Sequence, residues 1–243
     1  YPDVPHAYWI SSSVALAVRT RALTPTVAVI LASLFNFIGA GLSAALALAV
    51  SQAWLSLPPG TNGLTILLAA LLSAILWGVY LWWRGIPSSS THALVGGLAG
   101  AGVASVAVGG NPVMGVDASL LSQVVLPLLI SPVIAYAGSF LLVWPAGWAA
   151  RYTPPNVVNT RSRRAQAIAA GAVAFGHGLQ DGQRTSAVVI LALLAAGLSD
   201  GGSVPVWVAL LTAVLLSAGT LAGGWRISYT IGYRLTRVDP LRG

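Results

Sequence analysis

The stretch Phe175 to Thr185 reads Phe-Gly-His-Gly-Leu-Gln-Asp-Gly-Gln-Arg-Thr, and apolar sequence flanks it on both sides. Its aspartate, Asp181, and its arginine, Arg184, therefore lie within a segment that is otherwise apolar. A charged side chain at the centre of a bilayer costs roughly 2.5–3.5 kcal/mol, so such residues usually face a partner, a cavity or a substrate. Three glycines in the same stretch predict an interrupted helix. Interrupted helices at mid-membrane are how many transporters form a binding site.

The composition of the whole chain predicts a membrane protein. Of its 243 residues, 56% are hydrophobic and only 7% are charged, whereas a soluble domain carries roughly 25% charged residues. The apolar runs are continuous and lack the alternation over about ten residues that marks a membrane β-barrel. We therefore expect an all-α, polytopic helical membrane protein embedded in the lipid bilayer. The predicted membrane segments are 10–18, 26–50, 62–83, 93–108, 119–143, 165–198 and 204–224.

Two of these segments differ in length from a simple span of about 20 residues. The first is too short, and 165–198 is too long for one straight crossing, which again predicts a break near Gly178–Gly182. The connecting loops are short, so residues 1–243 are predicted to form a single transmembrane transporter domain. The chain begins at Tyr1 without a methionine and ends at Gly243 directly after a basic loop. We therefore expect a fragment that lacks both termini of the natural protein.

The net charge of +7 comes from arginine, because the chain contains neither lysine nor glutamate. If each segment crosses the membrane once, every arginine-bearing loop falls on one side, and Asp117 and Asp200 fall on the other. This is the positive-inside pattern. It predicts a multi-pass protein of the cell membrane with its arginine-rich loops in the cytoplasm, and it explains the basic charge without nucleic-acid binding. The absence of cysteine excludes disulfides, thiolate metal sites and thiol catalysis.

A first polar cluster follows Pro87 and precedes an apolar helix. Serines at such a position cap helices, and the free N–H groups of a helix N-terminus attract anions. Hydroxyl and N–H donors together suit a tetrahedral oxyanion, whose oxygens accept hydrogen bonds on every side. The alternative is an ordinary cap on a connecting loop. The four consecutive hydroxyl residues of this cluster are Ser88, Ser89, Ser90 and Thr91.

The second polar cluster is centred on Asp181, which either coordinates a cation or accepts a hydrogen bond from a protonated anion. Gln180 and Gln183 supply amides, and His177 is able to titrate. The alternative is a polar kink packed against neighbouring helices. A further amide, Asn36, lies within a predicted span, where it is either an interhelical hydrogen-bonding residue or a ligand.

In this order along the chain, these residues resemble the inorganic phosphate transporter (PiT) family of phosphate permeases, which includes some sulfate permeases. Ala174–Arg184 resembles the family's second signature, usually His-Gly-x-Asn-Asp-x-Gln-Lys, and Gly85–Leu94 resembles its Pro-Ser-Ser-Ser-x-His-Ala-Leu segment. Arg21–Pro25, the surroundings of Asn36, and Gly219–Arg226 also match family patterns. The resemblance covers most of the chain after residue 10, and it is the ordered set that makes it specific.

The resemblance implies two inverted halves, each giving an Asn-Asp-type motif and a hydroxyl-rich re-entrant segment to a site at the membrane midplane. It assigns Ser88–Thr91 to the oxyanion, with Asp181 and Gln180 facing them. The run Asp3-Val-Pro-His6 resembles the first signature, and a second hydroxyl segment is expected beyond Gly243. The candidates for the coupling ion are Asp181, Gln183, Asp3 and Asn36.

Two residues depart from the family pattern: Gln180 stands where asparagine is usual, and Arg184 where lysine is frequent. A longer amide and a fixed guanidinium can alter ion coupling or the choice of anion. The resemblance implies a secondary active transporter of inorganic phosphate, coupled to Na⁺ or H⁺ and without another cofactor or metal. The sequence leaves the oligomeric state open, a homodimer included.

Three other functions remain open at this stage: a sulfate permease of the same family, a passive channel, and an intramembrane serine hydrolase that uses a serine near His92 or His177. A hydrolase needs one nucleophile held beside a base. Four adjacent hydroxyls single out no nucleophile. We therefore predict a transporter and not an enzyme.

Overall fold

The computed structural model describes residues 14–43, 47, 57–109, 126–223, 225–235 and 240–241. Within these ranges every regular element is helical, as the composition predicts. The elements are α1 (Ala15–Arg19), α2 (Pro25–Leu42), α3 (Thr61–Arg84), α4 (Ser90–Ala107), α5 (Leu126–Ala150), α6 (Pro155–Ala195), α7 (Val206–Gly223), α8 (Trp225–Tyr229) and a π-helical segment (Thr230–Leu235).

Four of the described helices, α2 to α5, are long and apolar enough to cross a membrane. The apolar part of α7 is shorter, and α6 carries the polar stretch around Asp181. This confirms the prediction of an all-α polytopic membrane protein. The resemblance implies a re-entrant form for the hydroxyl segment, whereas the helix that follows this segment, α4, is by itself long enough to cross. The inverted repeat stays a prediction.

Local sequence fixes the helix ends that matter for the site. Gly85 ends α3 in the left-handed conformation, with φ of 67°, a backbone geometry that glycine adopts without steric cost. The chain then turns through four residues and enters α4, where the Ser89 hydroxyl accepts a hydrogen bond from the N–H of His92 and caps the helix. The hydroxyl segment is thereby held at the junction of α3 and α4.

The predicted break near Gly178–Gly182 is wrong, because α6 is one uninterrupted helix of 41 residues. The glycines instead let the backbone of α2 approach. A Cβ atom built on Gly182 would lie 2.5 Å from Ala40 Cα, and one on Gly178 would lie 2.6 Å from Asn36 Cα. Small residues at helix crossings serve this purpose in membrane proteins. The same glycines that suggested a kink therefore form a close helix–helix contact.

The length of α6 also explains why the predicted segment 165–198 is too long for one membrane crossing. A helix of this size measures roughly 60 Å at 1.5 Å per residue, about twice the thickness of the hydrocarbon core. Its first turns carry Arg161, Arg163 and Arg164, which are all exposed. The part before residue 165 therefore extends the helix beyond the apolar region and carries the arginine cluster with it.

Contacts along α6 show that α2 runs in the same direction. Phe35 of α2 packs on Gly171, with a ring atom 3.4 Å from where a Cβ would lie, and Ala40 packs on Gly182. The residue numbers of the contacting positions therefore increase together along α2 and α6, so the two helices are parallel. This agrees with the arginine pattern, in which the segments that contain α2 and α6 cross the membrane in the same sense.

The helix α3 runs opposite to α6. Near its start, the Gly60 N–H donates to the Ala195 carbonyl at 2.7 Å, at the far end of α6. Near its other end, Gly78 lines the same cavity as Asp181, in the middle of α6. This direction also matches the alternating crossings that the arginines predict.

The described connections that carry arginine meet at one end of the bundle. The Thr20 hydroxyl, between two arginines, donates to Gln166 Oε1, just beyond the arginine cluster of α6. Gln166 Nε2 donates in turn to the Pro240 carbonyl at 3.0 Å. The Thr230 hydroxyl donates at 2.7 Å to the carbonyl of Gly85, which follows the last residue of α3. The one-sided distribution of arginine therefore holds across these connections, while Asp117 lies outside the described residues.

Candidate functional site

The two polar clusters meet at one open cavity between α3, α4 and α6, with a volume of about 500 Å³. The hydroxyl segment contributes one wall and the middle of α6 contributes the facing wall. Apolar residues of α3 and α4, together with Leu216 of α7, complete the lining. The tertiary structure thus joins segments that are far apart in sequence. The polar residues that line the cavity are Ser88, Ser90, Thr91, His177, Asp181, Arg184 and Thr185.

The charged side of the cavity is a single stripe of α6. Positions 177, 184 and 185 are each three or four residues from position 181, and residues at this spacing lie on the same face of an α-helix. The stripe of small residues packed on α2 lies on another face of the same helix. Because α6 is continuous, both faces are fixed relative to each other, and the packing against α2 orients the polar stripe toward the hydroxyls.

Asp181 lies between two nitrogen-bearing side chains of its own helix. Arg184 Nη1 donates to Asp181 Oδ1 at 3.3 Å, and His177 Nδ1 lies 3.5 Å from Asp181 Oδ2. The side chains of Asp181 and Arg184 are 19% and 26% exposed, so the pair is largely shielded from bulk solvent. Pairing of this kind reduces the cost of placing a carboxylate at membrane depth. The pair also offers the cavity both an acceptor and a group of donors.

The sequence allows two roles for the hydroxyl residues, ligands of an oxyanion or caps of a helix. The structure divides these residues between the cavity wall and the helix cap. Ser88, Ser90 and Thr91 line the cavity. Ser89 does not, because its hydroxyl caps α4. The first N–H groups of any α-helix lack intrahelical partners, so the start of α4 places backbone donors on the same side as the hydroxyls.

The two glutamines of the signature do not line the cavity. Gln180 is exposed and Gln183 is partly buried on α6, and the cavity is lined by Asp181 and Arg184 but by neither glutamine. One residue turns about 100° around an α-helix, so neighbours of Asp181 point away from the face that Asp181 occupies. The expectation that Gln180 faces the hydroxyls together with Asp181 is therefore wrong for this structure.

Asn36 lies outside the cavity, at the contact between α2 and α7. Its side chain is 2% exposed, and Nδ2 donates to the Thr220 hydroxyl at 2.8 Å. One turn earlier the hydroxyls of Ser33 and Ser217 are 2.6 Å apart. Within the described part of the chain no group donates to Asn36 Oδ1. An interhelical hydrogen bond therefore accounts for Nδ2 of Asn36. A role of Asn36 Oδ1 as a ligand stays a prediction. Asp3 lies outside the described residues.

Sequence reasoning did not assign His177, Arg184 or Thr185 to the anion. Their spacing from Asp181, by three or four residues, is the signal that identifies them. That signal depends on a continuous helix, and the expectation of a break at the glycines concealed it. The structure therefore shows that the fixed positive charge of Arg184 lines the same cavity as the hydroxyls that the sequence had singled out.

Residues 10–243 match the model of the Phosphate transporter family. The chain belongs to this family. It is 35% identical over 234 residues to a probable low-affinity inorganic phosphate transporter of Mycobacterium leprae (strain TN), which covers 96% of this chain and 55% of the relative. A probable low-affinity inorganic phosphate transporter of Bacillus subtilis (strain 168) is 32% identical over 234 residues, covering 96% and 69%. The low-affinity inorganic phosphate transporter PitB of Escherichia coli (strain K12) is 30% identical over 217 residues, covering 80% and 43%.

The chain thus spans about half the length of the Mycobacterium and Escherichia relatives. No solved structure matches it. The match confirms the resemblance to this family. The Phosphate transporter family and these relatives are transporters and not enzymes, which excludes the serine-hydrolase alternative.

Proposed function

We propose that the protein is a permease that moves inorganic phosphate across the cell membrane by secondary active transport coupled to Na⁺ or H⁺. The observation that carries this proposal is the cavity in which Ser88, Ser90 and Thr91 stand opposite Asp181 and Arg184. The names of the relatives support phosphate as the solute. By the positive-inside rule the arginine-rich end faces the cytoplasm.

The cavity offers a tetrahedral oxyanion donors on both sides. Three hydroxyls donate from the α4 side, while the guanidinium of Arg184 has five N–H donors in a planar fork that matches phosphate oxygens. One of these N–H groups is directed at Asp181, which leaves others for an anion. At about 30 Å³ per water molecule, a cavity of about 500 Å³ accommodates phosphate together with part of its hydration shell.

The charges of the site support coupling to a cation. Among the described residues that line the cavity, the fixed charges are the Asp181 carboxylate and the Arg184 guanidinium, which cancel. Phosphate adds net negative charge in a region of low dielectric constant, where unbalanced charge is costly. A co-transported Na⁺ or H⁺ restores the balance. The candidates to hold Na⁺ are Asp181, Gln183, Asn36 and Asp3.

The double variant Ser90→Ala/Thr91→Val tests the anion site. We expect the apparent affinity for phosphate to fall by about tenfold for each hydroxyl, because a hydrogen bond to a charged group contributes roughly 1.5–3 kcal/mol. The measurement is the concentration dependence of radiolabelled phosphate uptake by cells in which this transporter is the sole phosphate permease.

Ser89→Ala is the matched control, since it removes a neighbouring hydroxyl that does not line the cavity. It should cost about 1 kcal/mol of helix stability through the lost cap and change the apparent affinity by less than about twofold. An unchanged affinity in the double variant, or an equal loss in Ser89→Ala, would place the anion elsewhere.

A further inference from the structure

We propose that an exposed face of α6 binds an anionic phospholipid of the cytoplasmic leaflet. This face, which we term the arginine face, consists of Arg161, Arg164, Ala165 and Ile168. The two guanidinium groups contact the phosphate of the lipid headgroup, and the apolar residues that follow them contact an acyl chain. The lipid is a partner of the protein from the surrounding membrane and is separate from the solute that the protein moves.

The arginine face is a stripe that runs along α6. Arg164 follows Arg161 by three residues and precedes Ile168 by four, a spacing that places the three side chains on one side of an α-helix. All three residues are exposed, and Ile168 is 76% exposed. The neighbouring Arg163 is also exposed, but at about 100° per residue it points to a different side of the helix. The stripe therefore combines two cations with an open apolar surface.

The depth of the two arginines matches the headgroup layer of a bilayer. Residues 165–195 of α6 measure roughly 46 Å at 1.5 Å per residue, close to the thickness of about 40–45 Å of a bilayer with its headgroups. Arg161 and Arg164 directly precede this part of the helix, so their side chains lie at the level of the headgroups. Ile168 lies roughly 6 Å further along the helix than Arg164, where the hydrocarbon begins.

The end of α5 carries residues that are typical of the membrane boundary. The Arg151 guanidinium lies 4.5 Å from the centre of the Trp148 ring and 4.6 Å from that of Tyr152. Both aromatic side chains are exposed, and tryptophan and tyrosine are enriched where hydrocarbon meets water. Residues 151–154 connect α5 to α6, so the arginines of α6 follow this boundary closely. Their position favours a lipid headgroup over an acidic protein or a nucleic acid as the partner.

The arginine face has no counter-charge among the described residues. The carboxylates in the described ranges are those of Asp181 and Asp200, and neither forms an ion pair with Arg161 or Arg164. The first turn of α6 has no acidic residue. Residues three apart on a helix have Cβ atoms about 5–6 Å apart, so both guanidinium groups can reach one phosphate, whose oxygens match the planar fork of arginine. Charge complementarity therefore favours an anionic lipid over a zwitterionic one.

The test measures which lipid lies beside the arginine face. The chain contains no cysteine, so Ala172→Cys, four residues beyond Ile168 and also exposed, provides a single site for a fluorophore. The labelled protein is reconstituted into vesicles of phosphatidylcholine and phosphatidylglycerol, with bromine atoms on the acyl chains of one of the two lipids. Quenching of the fluorophore by each brominated lipid gives the local preference for phosphatidylglycerol.

The expected preference follows from the two charges. One arginine near an anionic headgroup corresponds to about a fivefold preference, so we expect roughly 25-fold for the pair. Arg161→Gln and Arg164→Gln should each lower the preference by about fivefold, and the double variant should reduce it to less than about twofold. The preference should also fall in 0.5 M NaCl, because salt screens exposed charges.

Three controls separate lipid binding from general effects. Arg163→Gln removes one exposed arginine from another side of the same helix and should change the preference by less than about twofold. Arg161→Lys/Arg164→Lys keeps both charges and should keep most of the preference, so a loss caused by poor folding is recognised. A label at Leu129, which is 68% exposed at the end of α5 opposite Arg151, should report no preference above about twofold.

Equal preferences at positions 172 and 129, or an equal loss in Arg163→Gln, would overturn the inference. Loss of the preference on addition of inorganic phosphate, beyond the effect of NaCl at the same ionic strength, would instead assign the arginines to a soluble anion. Binding of heparin by the wild type without any lipid preference would assign them to a soluble polyanion. Phosphate uptake does not enter the measurement, so failure of the proposed permease function leaves the result for the lipid unchanged.

Discussion

Phosphate uptake is expected to fall by roughly 30- to 100-fold when Arg184 is replaced by glutamine. Arg184 supplies the fixed positive charge among the described residues of the cavity, and it also donates to Asp181. Its loss removes an attraction to the anion and leaves a carboxylate beside the anion without its counter-charge. Truncating one partner of a buried, hydrogen-bonded charge pair costs roughly 2–5 kcal/mol. Both side chains are partly exposed, which favours the lower part of that range, and each 1.4 kcal/mol or so corresponds to a tenfold change.

Two variants control for this result. Arg184→Lys keeps the charge but loses the planar fork, so it should recover part of the uptake. Arg163→Gln removes an exposed arginine of the same helix, far from the cavity, and should leave the uptake within about twofold of wild type. The measurement is kcat/KM for radiolabelled phosphate, with the amount of protein in the membrane determined for each variant. Normal uptake by Arg184→Gln would show that the anion does not use this cavity.

A single methyl group at Gly178 is expected to disrupt the packing of α2 against α6. A Cβ built there would lie 2.6 Å from Asn36 Cα, within the backbone of the neighbouring helix. No side-chain rotation relieves such an overlap, so the two helices must separate. Overpacking costs typically 1–3 kcal/mol, and more where the backbone has to move. For a chain of this size, about 3 kcal/mol corresponds to a fall of roughly 6–12 °C in Tm.

Gly176→Ala is the matched control, two residues away on the same helix. A Cβ there would meet nothing within 4 Å, and alanine is favoured over glycine in a helix by about 1 kcal/mol. The two alanine variants should therefore change stability in opposite directions. The check is thermal unfolding of the purified variants in detergent, together with their elution as folded protein. Equal Tm values for both would mean that α2 and α6 are not in close contact at Gly178.

The sequence predicted the separate parts of the site better than their relation to one another. The hydroxyls of Ser88, Ser90 and Thr91 and the charge of Asp181 could be identified because polar groups in apolar segments are costly and therefore informative. Gln180 was placed wrongly, because a family motif gives the order of residues and not the side of the helix on which each lies. Arg184 was noted as a departure from the family pattern, although its position three residues after Asp181 makes it a direct partner of the carboxylate.

By itself, the sequence determined the class of protein, its family and the one-sided placement of its arginines. These properties follow from the length of the apolar segments, the positions of the charges and the order of the motifs. All three can be determined from the chain without knowing which helices pack against each other. The role of the glycines was decided only by the tertiary structure. A residue without a side chain permits both a broken helix and a close helix crossing, and the presence of α2 against Gly178 and Gly182 selects the second. Once α6 is continuous, the same packing fixes which of its side chains face the hydroxyls of α4.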